Sequence, residues 1–72
     1  MTREWEQFWR RLSPAQRVVL RELARGAEPK SLAGSLGITP RGVYWHCRQI
    51  ALKGNAATCQ EVLLSAVRAG VV

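Results

Sequence analysis

Gly37-Ile38-Thr39-Pro40-Arg41-Gly42-Val43-Tyr44-Trp45-His46-Cys47-Arg48-Gln49-Ile50 is the stretch on which the reading of this chain turns. Gly37 and Ile38 make a short turn. The Thr39 side chain can accept a hydrogen bond from the free amides of a new helix, and Pro40 suits the first helical position, where a missing N–H costs nothing. The pattern predicts a helix from Pro40. At about 100° per residue, Val43, Cys47 and Ile50 fall on one side, while Arg41, Tyr44, Trp45, Arg48 and Leu52 fall on the other. One face is apolar core; the other is basic and aromatic.

Upstream, Ser13-Pro14-Ala15-Gln16 combines a capping side chain, a proline at the first position and a glutamine that can reach back as in a capping box. A helix is expected from there, with Val19, Leu20, Leu23 and Ala24 inward and Gly26 as its left-handed stop. Glu28-Pro29 opens the next helix. Its inner stripe is Leu32, Ala33 and Leu36, and Gly37 ends it, although Glu28 caps less well than Ser or Asp. Gly34 lies inside that helix at a cost of about 1 kcal/mol relative to Ala, which a close approach to a neighbouring helix would explain. Before Ser13, Trp5, Phe8, Trp9 and Leu12 recur at helical spacing among polar residues, marking a short amphipathic helix over 1–12 that either lids the core or meets a partner.

Downstream, Lys53-Gly54-Asn55-Ala56 breaks the chain, and Thr58-Cys59-Gln60-Glu61 reads as a second capping box. The last helix is expected from about Cys59 to Ala69, with Cys59, Val62, Leu63, Ala66 and Val67 as its buried side and Gly70 as its stop. Leu64 is left on the polar side with Gln60 and Arg68. The expected fold is a single all-α domain: a compact helix-turn-helix body of four helices over 13–72, preceded by the short extra helix.

The 72 residues carry 11 Lys and Arg against 5 acidic residues, all Glu, for a net charge of +6. Residues 1–28 hold 6 basic and 4 acidic groups, whereas residues 29–72 hold 5 and 1, so the half containing the Pro40 helix is the more positive. Such a balance favours a polyanionic partner. Catalysis is not expected. His46 is the only histidine and no Asp exists to pair with it, and the chain has no paired carboxylates and no phosphate-cradling Gly loop. Cys47 and Cys59 form no Cys-x-x-Cys pair and are read as reduced thiols. With His46 they would lack a fourth zinc ligand, so no metal or other cofactor is expected. No apolar run is long enough to span a membrane and the N-terminus has no signal core, which points to a cytoplasmic protein.

The order of motifs resembles the LuxR-type (GerE-like) helix-turn-helix family from Leu12 to Val72. The resemblance rests on Leu12-Ser13-Pro14, Val19-Leu20, Leu23-Ala24, Gly26, Leu32-Ala33, Leu36-Gly37-Ile38-Thr39, Val43 with His46, Ile50 with Lys53, and Arg68-Ala69-Gly70-Val71-Val72. It implies a stand-alone bacterial transcription regulator whose recognition helix, about 40–52, enters the major groove of double-stranded DNA and whose last helix pairs two copies. Carried over by position, groove-reading sites fall on Tyr44, Trp45 and Arg48, with Gln49 beside them. Backbone-touching sites fall near Lys30, Thr39, Arg41 and Lys53. Arg48 has the fork to bind guanine O6 and N7, while Arg41 and Lys53, at the helix ends, suit phosphates. His46 is read as a packing and hydrogen-bonding residue.

The chain also departs from that pattern. Gly42 stands where relatives usually have Thr, Tyr44 where they have Lys, and Gly54-Asn55-Ala56 where they have Leu-Gly-Val. The first two remove a hydroxyl and a cation from the DNA side, and the third is expected to loosen the link to the last helix. Side by side, Tyr44 and Trp45 make the amphipathic kind of surface found at protein interfaces. An alternative function follows: a small adaptor or anti-activator that docks another transcription regulator or RNA polymerase through that face or through the Trp5 and Trp9 helix. Gln60, Leu64, Val67 and Arg68 complete the candidate dimer or partner surface.

Overall fold

Each helix starts where the residue before it can take up the free amides of the first turn, and four of the five starts use a side chain to do so. In the computed structural model, which describes residues 2–72, α1 spans Arg3–Arg11, α2 Pro14–Ala24, α3 Pro29–Leu36, α4 Pro40–Lys53 and α5 Cys59–Arg68. The described residues contain no strand. Ser13 Oγ accepts from the Gln16 amide and Gln16 Oε1 accepts from the Ser13 amide, both at 3.1 Å, closing the full capping box of α2. Thr39 Oγ1 accepts from the Gly42 amide at 3.1 Å to start α4. Glu28, as its weak capping chemistry implies, makes no side-chain cap.

The box at Thr58 has only one of its two expected arms. Thr58 Oγ1 accepts from the Glu61 amide at 3.3 Å, but the Glu61 carboxylate accepts from the amide of Ala57 at 3.2 Å rather than from that of Thr58. Thr58 sits at φ −138°, where Ser13 sits at −69°, and the more extended backbone turns its own N–H out of reach. Left-handed glycines close α2 and α3 at Gly26 and Gly37.

A single core lies between α2, α3, α4 and α5. Val19, Leu20, Val43 and Ile50 are fully buried at its centre, with Leu32, Ala33 and Val62 around them. Phe8 and Leu12 of the N-terminal segment are buried in the same core, and Trp5 and Trp9 pack half-buried against it. α1 is therefore a lid. Trp5 meets Phe8 edge to face at 5.5 Å, the Arg21 guanidinium lies 4.9 Å from the Trp9 ring centre, and Arg17 Nε donates to the Trp9 carbonyl at 3.0 Å. The cation–π contact between Arg21 and Trp9 contributes about 0.5–1 kcal/mol at an exposed site, and together with the burial of Phe8 and Leu12 it holds down a nine-residue helix too short to persist alone.

Three further expectations need correction. Gly34 approaches nothing: a Cβ built there would have no neighbour within 4 Å, so the residue carries its helix penalty without a packing reason. The close approach belongs to Gly54, where a Cβ would lie 2.8 Å from Val62 Cγ2 and 3.3 Å from Phe8 Cε1. The 54–56 link is accordingly tight rather than loose. Asn55 takes the left-handed conformation at φ 52°, and the Ala56 amide donates to the Ala51 carbonyl at 2.9 Å, the wrapped helix end that glycine more often provides. Finally, Val67 is 48% exposed instead of buried, because α5 rests on the body along Val62 and Ala66, which turns Leu64 and Val67 toward solvent.

Candidate nucleic-acid interface

α4 presents two unlike sides because its sequence repeats at helical spacing. Val43, Ile50 and Ala51 are buried and Cys47 packs half-buried beside them. Opposite them, Arg41, Tyr44, Trp45, Arg48 and Leu52 are exposed, with Tyr44 at 61%, Trp45 at 55% and Leu52 at 63%. Since i, i+3, i+4, i+7 and i+11 all lie on one stripe, these five side chains make a continuous ridge along the outside of α4. Gln49 is half-buried at its flank.

The charge on this ridge is unopposed. Neither α3 nor α4 contains an acidic residue, and the ion pair found among the described residues, Arg25 with Glu22 at 3.3 Å, lies on α2 and its end. Lys30, in the first turn of α3, and Arg41, in the first turn of α4, are both exposed. Thr39 is exposed as well; its oxygen accepts the capping bond, which leaves its hydroxyl proton free to donate outward. The chain turns from α3 into α4 through residues 37–39, so Lys30, Thr39 and Arg41 belong to one compact unit, α3, turn and α4.

Lys53 is placed differently from the other basic residues. Its Nζ donates to Gln16 Oε1 at 2.7 Å, the same oxygen that accepts from the Ser13 amide. The amide nitrogen of Gln16 lies 3.5 Å from His46 Nδ1, and Gln16 is the one buried polar residue of the described core, 3% exposed. No buried side-chain nitrogen or oxygen among the described residues lacks a hydrogen-bond partner. The ammonium of Lys53 joins α2 to α4 through this bond, with two further N–H donors left on the half-buried group. His46, stacked edge to face on Trp45 at 5.1 Å, braces the ridge from behind. Sequence reasoning found the capping role of Gln16 but not this second one, which joins residues 30 and 37 positions apart.

A second exposed stripe runs along α5. Gln60, Leu64, Val67 and Arg68 are all exposed, Leu64 and Val67 each at 48%, and their spacing puts them side by side. Trp5 and Trp9, by contrast, are committed in large part to the core and to Arg21. Among the described residues no helix is long and apolar enough to cross a membrane, and no group of three or more His, Cys, Asp or Glu gathers as metal ligands do. Comparison of the chain with protein-family models, with curated proteins and with solved structures gave no match.

Proposed function

We propose that this chain is a bacterial transcription regulator of the LuxR-type helix-turn-helix kind, with α4 as its recognition helix in the major groove of duplex DNA. The observation that carries the reading is the ridge on α4: two guanidinium groups, an indole and a phenol aligned on one exposed side of a helix free of acidic residues, set on a chain of net charge +6. A helix of this diameter fits the major groove, where an arginine fork pairs with guanine O6 and N7. In this reading Arg48 contacts bases with Tyr44 and Trp45 beside it, and Lys30, Thr39 and Arg41 hold phosphates. The α5 stripe of Gln60, Leu64, Val67 and Arg68 pairs two copies, so that two recognition helices lie about one turn of DNA apart.

Binding of the full chain to mixed-sequence duplex DNA, followed by fluorescence anisotropy across a salt series, tests this. Affinity should fall steeply with salt because each phosphate contact releases condensed counterions. Arg48→Ala should weaken binding by about tenfold or more and flatten preference among sequences, whereas Arg41→Ala should weaken all sequences alike. Binding indifferent to salt and to Arg48→Ala would refute the proposal.

The apolar content of the same ridge supports a second reading, an adaptor that docks a regulator or RNA polymerase. Tyr44, Trp45 and Leu52 are each more than half exposed, and interface hot spots favour Trp, Tyr and Arg. Retention of a bacterial partner on the immobilised chain after nuclease treatment, lost with Trp45→Ala, would select this reading over DNA binding.

A further inference from the structure

A cleft of about 560 Å³ opens between α1, the end of α4 and α5. Its size falls inside the range of about 300–1,000 Å³ usual for small-ligand sites. Trp5 and Phe8 of α1 give it an apolar wall, the two rings meeting edge to face at 5.5 Å, with Phe8 anchored in the core. Four charged side chains line the same cleft, two of each sign: Glu4 and Arg11 on α1, Lys53 ending α4 and Glu61 in the first turn of α5. None of the four pairs with another; the ion pair found among the described residues is Arg25 with Glu22. Two of them are nonetheless held in place. Lys53 Nζ donates to Gln16 Oε1 at 2.7 Å and keeps two N–H groups to give. Glu61 Oε2 accepts from the Ala57 amide at 3.2 Å, which leaves Oε1 to accept from outside. Groups fixed beforehand lose little freedom when a ligand arrives.

From these unpaired charges around an aromatic wall we infer that the cleft binds an apolar dipeptide with free ends, its carboxylate on Arg11 and Lys53 and its ammonium on Glu4 and Glu61. Length selects the dipeptide. Glu4, Phe8 and Arg11 share one stripe of α1, and the two charged positions lie roughly 10 Å apart along the axis. An extended dipeptide spans about 7 Å, and a charge-assisted hydrogen bond of about 2.8 Å at each end lets it reach both. A single amino acid, about 3.5 Å long, reaches one of them. The apolar side chains of the dipeptide lie on Trp5 and Phe8. Because the occupant touches α1, α4 and α5 together, it binds the folded chain alone and raises its Tm. Leu52 borders the cleft at the end of the α4 ridge, but the site does not depend on what that ridge recognises, and its test contains no nucleic acid.

Titration of the isotope-labelled full chain with leucylphenylalanine, followed by amide and indole NMR shifts, tests this. Saturable shifts should be confined to Trp5, Phe8, Lys53, Asn55, Glu61 and their neighbours. The N-acetylated dipeptide, which lacks the ammonium, and the dipeptide amide, which lacks the carboxylate, should each bind about tenfold more weakly, as should free phenylalanine. Arg11→Gln should weaken the dipeptide and leave the dipeptide amide unchanged. Glu61→Gln, which keeps an oxygen for the Ala57 amide, should weaken the dipeptide and leave the N-acetylated form unchanged. Three results would each overturn the inference: no saturable shift up to about 10 mM dipeptide, binding of any of the three analogues as tight as that of the dipeptide, or shifts that follow chain concentration instead, the sign of a second copy in the cleft. The wild-type series requires no substitution, so a variant that fails to fold leaves the test intact.

Discussion

Gln16 carries more of this domain than its surface chemistry implies, and Gln16→Ala measures how much. The substitution removes the one oxygen that accepts from both the Ser13 amide and the Lys53 ammonium, and breaks the approach to His46. A neutral hydrogen bond contributes about 0.5–1.5 kcal/mol net, and one to a charged group about 1.5–3 kcal/mol. Lys53 is only half-buried and regains water when released, so the lower end of the charged range applies. The expected loss is about 2–3 kcal/mol. A chain of 72 residues has roughly 4–11 kcal/mol of stability in total, and a domain this size loses about 4–8 °C in Tm per kcal/mol, so Tm should fall by about 10–20 °C. Urea denaturation followed by circular dichroism is the assay. A double-mutant cycle with Lys53→Ala isolates the shared bond and should return a coupling of about 1 kcal/mol or more. Loss below about 1 kcal/mol in the single variant, or a cycle that closes to within about 0.3 kcal/mol, would show that the Ser13–Gln16–Lys53 junction does not hold α2 to α4.

Glycine substitutions should split in sign: Gly34→Ala, with open space around its Cβ, should stabilise by about 0.5–1 kcal/mol, whereas Gly54→Ala, pressed on Val62, Phe8 and the Ile50 carbonyl, should destabilise by about 1–3 kcal/mol in the same urea assay. The two sides of α4 should separate stability from binding. Ile50→Ala should cost about 2–5 kcal/mol, while Trp45→Ala should leave the unfolding midpoint within about 1 kcal/mol and abolish whatever the ridge recognises.

Helix starts, helix stops and the two sides of α4 were legible in the residues because each depends on neighbours only a few positions away. Ser13, Thr39 and Thr58 each cap the amide three residues ahead, and Gly26, Gly37 and Gly70 take the left-handed turn that lacks a Cβ penalty. A period of 3.6 residues then puts Val43 with Ile50 and Tyr44 with Arg48 on opposite sides of one helix without reference to anything else in the chain. The ridge of the candidate interface belongs to this class, which is why Arg41, Tyr44, Trp45 and Arg48 could be named from spacing.

Packing settled the rest. Gly34 inside α3 and Gly54 at the end of α4 differ in local setting, yet only the docking of Val62 and Phe8 on the end of α4 makes the second one tight. Val67 and Ala66 are adjacent apolar residues. Which of them is covered depends on the rotation of α5 against the body, and that rotation buries Ala66 and leaves Val67 in solvent. Lys53 carries the charge and position of a phosphate contact, yet its ammonium is drawn to an oxygen 37 residues away. Cys47 and Cys59 are unremarkable alone in sequence and line one cleft only where α5 lies across α4. The amino-acid order by itself determined which segments coil and which side of each is apolar, since caps and periodicity act over a turn or two. The tertiary structure alone decided which of those sides meet, because contacts between distant residues are fixed by how close-packed helices interlock, not by the propensity of any one of them.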